Sequence, residues 1–155
     1  MYLLSLNETG VSPMVIDRIH DYLVPGKRAH VVGIGGVSMS PLAEVLKGEG
    51  IEVTGSDMKE SETVEHLRSL GSRVTIGHFD MTVEGADLVI RTAAVHDENP
   101  EIAGAMARGV PVFERAEAWG SIMRRYENAI CISGTHGKTT TTSMCTHIAM
   151  AASIE

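Results

Sequence analysis

From residue 29 onward, short apolar runs alternate with stretches whose apolar side chains recur every three or four positions. The short runs predict strands at 29–34, Ile51–Gly55, Arg73–Ile76, Asp87–Ile90, Val110–Phe113 and Ala129–Ile132. The longer-period stretches predict helices between them. One covers 40–48, with Leu42, Ala43, Val45 and Leu46 facing inward and Gly48 or Gly50 closing it. The next is capped by Ser61, carries Val64, Leu67 and Leu70, and stops at Gly71. A third opens at Asn99-Pro100 and ends at Gly109; a fourth runs from Ala116 to Tyr126 with Trp119, Ile122 and Met123 inward. Strands alternating with helices at this spacing predict an α/β fold, a parallel, doubly wound sheet. Ahead of it, Ser12-Pro13 can start a helix carrying Ile16, Ile19 and Leu23, ended by Pro25-Gly26, which packs on the domain's edge.

Two turns interrupt this pattern with chemistry. In His30–Glu44, HVVGIGGVSMSPLAE, the first strand breaks into Gly35-Gly36 and a helix follows at once. Glycines let backbone approach a phosphate, and the unpaired N–H groups of a helix start then act as donors to it, so this turn is a diphosphate site. Ser40 as helix cap would place Pro41, which has no N–H, in the first turn. At the other end, Ser133-Gly134-Thr135-His136-Gly137-Lys138-Thr139-Thr140 follows the sixth predicted strand. It is a shortened phosphate loop, with Ile132 where the general pattern has its first glycine. Gly134, Thr135, His136, Gly137, Lys138, Thr139 and Thr140 are the ATP-binding candidates; Lys138 neutralises terminal phosphates and the Thr139 hydroxyl ligates Mg²⁺. Those two are the catalytic candidates. ATP and Mg²⁺ are the expected cofactors.

Composition narrows the class. A net charge of −7 with no basic run argues against non-specific nucleic-acid binding. No stretch is apolar enough to span a bilayer, and MYLLSLNETG lacks the basic start of a secretion signal, which together predict a cytoplasmic protein. Cys131 and Cys145 lie in apolar stretches without CxxC spacing, so they are expected to be buried, reduced thiols. Oligomeric state is not legible.

Taken together, GIGGVSMS, Thr54-Gly55-Ser56-Asp57, Ile76-Gly77-His78, TAAVHDENPE at 92–101, ERAE at 114–117 and SGTHGKTTTT at 133–142 resemble the Mur ligases of peptidoglycan synthesis. The likeness covers about residues 29–150. It implies a Rossmann-like sheet with helices on both faces that binds a UDP-sugar, followed by an ATP-binding domain and an amino-acid-binding domain. Residues 1–28 are then an amino-terminal extension and 29–127 the sugar-nucleotide domain. Residues 128–155 are the first strand, phosphate loop and helix of the ATP-binding domain, so the chain reads as a fragment expected to be inactive alone. The members it resembles most join L-alanine to UDP-N-acetylmuramate through an acyl phosphate. Carried over, Gly33, Ile34, Gly35 and Gly36 with Ser38, Met39 and Ser40 hold the UDP diphosphate. Asp57, His78, Thr92, Ala93 and Ala94 line the uridine or sugar side; His78 has the alternative of being a surface loop histidine. Arg115 either reaches the site or pairs with Glu114 or Glu117, and stays outside the candidate set. Ser38 and Pro41 depart from the usual family form.

Two other functions fit parts of the chain. Gly33-Ile34-Gly35-Gly36-Val37-Ser38 nearly spells a dinucleotide fingerprint, with Asp57 about where a ribose-binding acid stands, so an NAD-dependent oxidoreductase is one. The third glycine is missing, and the phosphate loop has no role in hydride transfer. The other is a related ligase adding a recycled peptide; such proteins, by resemblance, carry cysteine where this chain has Gly35.

Overall fold

The computed structural model describes residues 18–152. It divides into two compact units, residues 1–125 and 126–155. Among the described residues of the first, five strands alternate with four helices. β1 (Arg28–Val32) leads to α1 (Ser40–Gly48), β2 (Glu52–Asp57) to α2 (Glu62–Ser69), and β3 (Arg73–Ile76) to a 3-10 turn at Asp80–Val83. β4 (Leu88–Arg91) leads to α3 (Pro100–Ala107) and β5 (Val112–Glu114) to α4 (Arg115–Met123). All neighbours pair in parallel, in the order β3-β2-β1-β4-β5. The doubly wound sheet expected from the alternating pattern is therefore present, and its order switches direction between β1 and β4.

Side chains alternate across the strands, so the two faces separate two cores. One face carries Ala29, Val31, Val53, Leu88, Ile90 and Phe113, packed with Leu42 and Leu46 of α1, Leu67 of α2 and Ile122 of α4. Ile19 and Leu23, ahead of β1, are fully buried in the same cluster. Ser12 to Ile16, where that helix was expected to start, lie outside the described residues. The other face carries Val32 and Val89 under Val83, Ile102 and Ala105. Both registers through β1 place His30, Thr54 and Ser56 on this second face, beside its apolar core.

The helix starts follow local chemistry. Ser61 is extended and its hydroxyl accepts the Val64 amide at 3.2 Å. Asn99 Oδ1 accepts the Glu101 amide at 2.9 Å, with Pro100 in the first turn. Three expectations about the elements fail. Ser40 is not a cap: it is the first residue of α1, and Met39 precedes it without a side-chain cap. The amides of Met39 and Ser40 both donate to Gly36 O at 2.9 Å, so the turn closes earlier, and the Met39 side chain is drawn into the core. α4 ends at Met123, not Tyr126; Arg125 Nη2 instead donates to Leu23 O at 2.5 Å. Residues 129–132 form no strand, and Ile130 is exposed. A strand needs a neighbour to pair its N–H and C=O groups, and no strand exists among the described residues of the second unit.

That second unit holds α5 (Lys138–Ala151), which buries none of its residues. Cys131 is exposed and Cys145 half-buried, so the expected burial of the thiols does not hold. Among the described residues no helix is long and apolar enough to cross a membrane.

Candidate functional site: the carboxyl edge of the sheet

Parallel strands bring all their carboxyl ends to one edge, and the candidates from 33 to 40, at 57, at 78 and from 92 to 94 all lie at or just after strand ends there. The turn after β1 is built by crossing the end of β2. The amides of Gly33 and Ile34 donate to Ser56 O at 2.8 and 2.9 Å, and Gly36 donates to Gly33 O at 3.0 Å. Gly33 has φ +72°, a conformation that costs glycine little and other residues much. Asp57 Oδ2 accepts the Gly35 amide at 2.9 Å, tying the acid to the turn. The amides at 33–36 are thus used within the fold, and Ile34 and Met39 serve the core. The N–H groups of Val37 and Ser38 have no acceptor among the described residues, and Val37 is 95% exposed at the tip. They are the donors this turn offers an anion.

Arg115, left out of the candidate set, joins them: its Nη1 donates to Ser38 Oγ. It is the first residue of α4, directly after β5, so it too stands at the carboxyl edge. Position after a strand was the signal that could have found it; its acidic neighbours hid it. Glu114 instead bonds Arg91 Nε at 3.2 Å, and Arg91 Nη1 meets Asp97 at 2.5 Å. This pair, chiefly the Asp97 bond, raises the Arg91 pKa further. It pins the loop after β4, where Thr92 is half-buried and Ala93 and Ala94 are exposed. A cavity of about 250 Å³ opens there, lined by Arg91, Ala93, Val95, His96, Asp97 and Glu98.

His78 is no free loop histidine. Its Nδ1 lies 2.6 Å from Glu101 Oε2 and 3.0 Å from Ser56 Oγ. Glu101, on α3, is fully buried. Its Oε2 also accepts Ser56 Oγ at 2.6 Å; its Oε1 meets His30 Nε2 at 3.1 Å and the Thr82 hydroxyl. His30, 1% exposed, completes the cluster through Nδ1 to Thr54 Oγ1 at 3.0 Å. Burial is the largest single influence on Glu101 and works to raise its pKa. Hydrogen bonds from His30, Ser56 and Thr82 together outweigh it and hold the carboxyl below its ordinary value. Glu101 is not among the candidates expected from the sequence. A first-turn acid after Asn-Pro is common enough on dipole grounds to pass unremarked.

In the second unit, Gly134 has φ +155° and Gly137 φ +78°, immediately ahead of α5. Lys138 folds back over its own loop, with Nζ 2.5 Å from Gly134 O and 3.3 Å from Thr135 O. An exposed ammonium held across a glycine loop, with Thr139 in the first helical turn, fits the donor set a nucleotide triphosphate and Mg²⁺ require. The Thr142 hydroxyl is turned instead to Lys138 O at 2.9 Å, inside the helix.

Gly35→Ala probes the tie between turn and acid. An added Cβ would lie 2.9 Å from Asp57 Oδ2 and 3.0 Å from Val64 Cγ2. The carboxylate is mobile enough to move, so the fold should survive at a cost of about 1 kcal/mol in urea unfolding. Asp57 is then displaced, and nucleotide affinity measured by calorimetry should fall roughly tenfold.

A parallel sheet that switches direction at β1/β4, with a glycine turn at that point, defines a Rossmann-like α/β protein. Residues 28–127 match the Mur ligase family, catalytic domain, and the chain belongs to that family. It is similar to the UDP-N-acetylmuramate–L-alanine ligase of Agathobacter rectalis, 51% identical over 124 residues, 79% of this chain and 27% of that one. Among solved structures, the UDP-N-acetylmuramate–alanine ligase of Thermotoga maritima superposes with a TM-score of 0.75 at 38% identity, over 79% of this chain and 29% of that one. A murein peptide ligase from Psychrobacter arcticus gives 0.77 at 28% identity, over 83% and 27%. The chain spans little more than a quarter of the length of the curated relatives it matches.

Proposed function

We propose that this chain is the sugar-nucleotide-binding part of an ATP-dependent ligase that joins L-alanine to UDP-N-acetylmuramate in peptidoglycan synthesis, in the cytoplasm. The observation that carries the reading is the turn after β1, where the free amides of Val37 and Ser38 stand with the Arg115 guanidinium on Ser38. Two N–H donors beside a cation suit a diphosphate. The names of the relatives supply the sugar and the amino acid. Asp57, His78 and the Thr92–Ala94 loop would take the uridine and sugar, from the ends of β2, β3 and β4. Residues 29–127 form the sugar-nucleotide domain in this reading, and 128–155 open the ATP-binding one.

ATP, with Mg²⁺, supplies the phosphoryl group that converts the substrate carboxylate to an acyl phosphate. This chain's share is to hold charge. The Lys138 ammonium would leave its own carbonyls for the terminal phosphates, and the loop amides and Thr139 hydroxyl would complete the cradle. The L-alanine amine then displaces phosphate from the activated carboxyl.

Calorimetry on the chain tests this. UDP-N-acetylmuramate should bind, and NADH binding without it would end the proposal. Lys138→Ala should weaken ATP binding roughly tenfold or more, since it removes a charge-assisted contact, and change UDP-sugar affinity less than about twofold. A large loss of UDP-sugar binding would mean that the two loops are assigned the wrong way round.

A further inference from the structure

The hydrogens around Glu101 can be counted. The ionised carboxylate brings none, so every partner must donate to it. Ser56 gives its one hydrogen to Oε2 at 2.6 Å, which leaves its oxygen only as an acceptor toward His78. His78 Nδ1 faces Glu101 Oε2 at 2.6 Å and Ser56 Oγ at 3.0 Å, both acceptors, so Nδ1 must carry the ring hydrogen. The same count makes His30 donate from Nε2 to Glu101 Oε1, with Nδ1 accepting from Thr54. Neither ring can invert without leaving two acceptors or two donors face to face. His78 Nε2 has no partner among the described residues, and its side chain is 17% exposed, on the loop after β3 at the carboxyl edge.

We propose that Glu101, braced by His30 and Ser56, is a positioning residue that fixes His78 in its Nδ1–H tautomer and so makes Nε2 a hydrogen-bond acceptor for an N–H or O–H donor of the bound nucleotide. This rests on the reading of the edge as a nucleotide site and adds how that site selects. Uracil carries a donor at N3 where cytosine carries a lone pair, and the ribose offers hydroxyls. An acceptor locked by a buried carboxylate rewards one of these donors, because the alternative tautomer is closed to it.

The imidazole ¹⁵N spectrum of the whole chain is the direct test. His78 should show hydrogen on Nδ1 and none on Nε2; hydrogen on Nε2 overturns the proposal. In Glu101→Leu the ring should lose this preference, and a ring that keeps it also overturns the proposal. Should that variant not fold, His78→Asn serves, keeping a donor near the Nδ1 position and nothing at Nε2. Its affinity for UDP should fall roughly tenfold, the loss of one well-placed hydrogen bond. Titrating both proteins with UDP, CDP and 2′-deoxy-UDP identifies the donor. The analogue lacking it should lose affinity for the wild type and no more for His78→Asn. Discrimination against CDP assigns the base N–H, and discrimination against the deoxy compound the ribose hydroxyl. If neither couples to His78, the acceptor role is wrong. If the wild type binds neither UDP nor CDP, the nucleotide reading fails, and the ring spectrum still decides whether Glu101 sets the tautomer.

Discussion

Gly55→Ala should destabilise the first unit by about 3 kcal/mol, the upper part of the range for overpacking a closed interior. A Cβ at Gly55 would stand 2.6 Å from Val31 O, 2.7 Å from Ile34 Cδ1 and 2.9 Å from Ile34 Cβ. The first contact is backbone of the paired strand, since Val31 and Gly55 are register partners in the sheet. The second is a fully buried core side chain rooted in the glycine turn itself. Nothing there is a flexible tip, in contrast to Gly35, whose nearest neighbour is a carboxylate that can swing away. To fit a methyl group, β1 and β2 must part or Ile34 must leave, and either move shifts the turn that presents Val37 and Ser38. Urea unfolding followed by the single tryptophan, Trp119, which packs against the main core, would measure the change. The midpoint should fall with little change in slope. Against a typical total of roughly 5–15 kcal/mol that loss is severe. A shift below about 0.5 kcal/mol would show that the strands do not approach this closely.

The contrast between these glycines shows what the sequence could and could not reveal. Strands and helices were legible because each is written locally: a run of β-branched residues, Ser61 three residues before Val64, Asn99 before Pro100. The glycine turn was legible as an anion site, yet not the division of labour within it. Which amides remain free depends on Ser56 O and Asp57, which are twenty-odd residues away. The run at 129–132 has a strand's composition, but composition cannot supply a neighbouring strand. Arg115 and Glu101 were obscured for opposite reasons. The first sits among acids that looked like its partners. The second stands in a helix's first turn, where an acid is common, and only the fold buries it beside Ile102 and Ala105. One clue was available in the alternation of β1 and β2. It places His30, Thr54 and Ser56 on a single face, a polar stripe that must find hydrogen-bond partners if the face is covered.

Glu101→Leu should show how much that polar stripe depends on one carboxylate. The substitution leaves four donors without their acceptor, but they do not lose equally. Thr82 can turn its one hydrogen to Phe79 O at 2.6 Å, His78 reaches solvent, and Ser56 keeps His78. His30 has no such exit: it is 1% exposed and its Nε2–H faces only the former carboxylate. An orphaned buried donor costs about 1–3 kcal/mol, and the lost bonds to a charged acceptor add to it. A total near 3 kcal/mol at neutral pH is expected, read by the same tryptophan-detected unfolding. Adding His30→Leu should restore part of that stability, because it removes the orphaned Nε2–H and leaves only the Thr54 hydroxyl, 8% exposed, without its partner. The acid limb gives a second check. Glu101 has a depressed pKa in the folded chain, so its contribution is fully present above the unfolded value and is lost as pH falls through the folded one. The gap between wild type and Glu101→Leu should therefore be widest near neutrality and narrow as the pH drops below 4.5, the carboxyl's ordinary value. A gap that stays constant into acid, or a double variant no more stable than the single, would mean that the carboxylate is not what holds the two histidines in place.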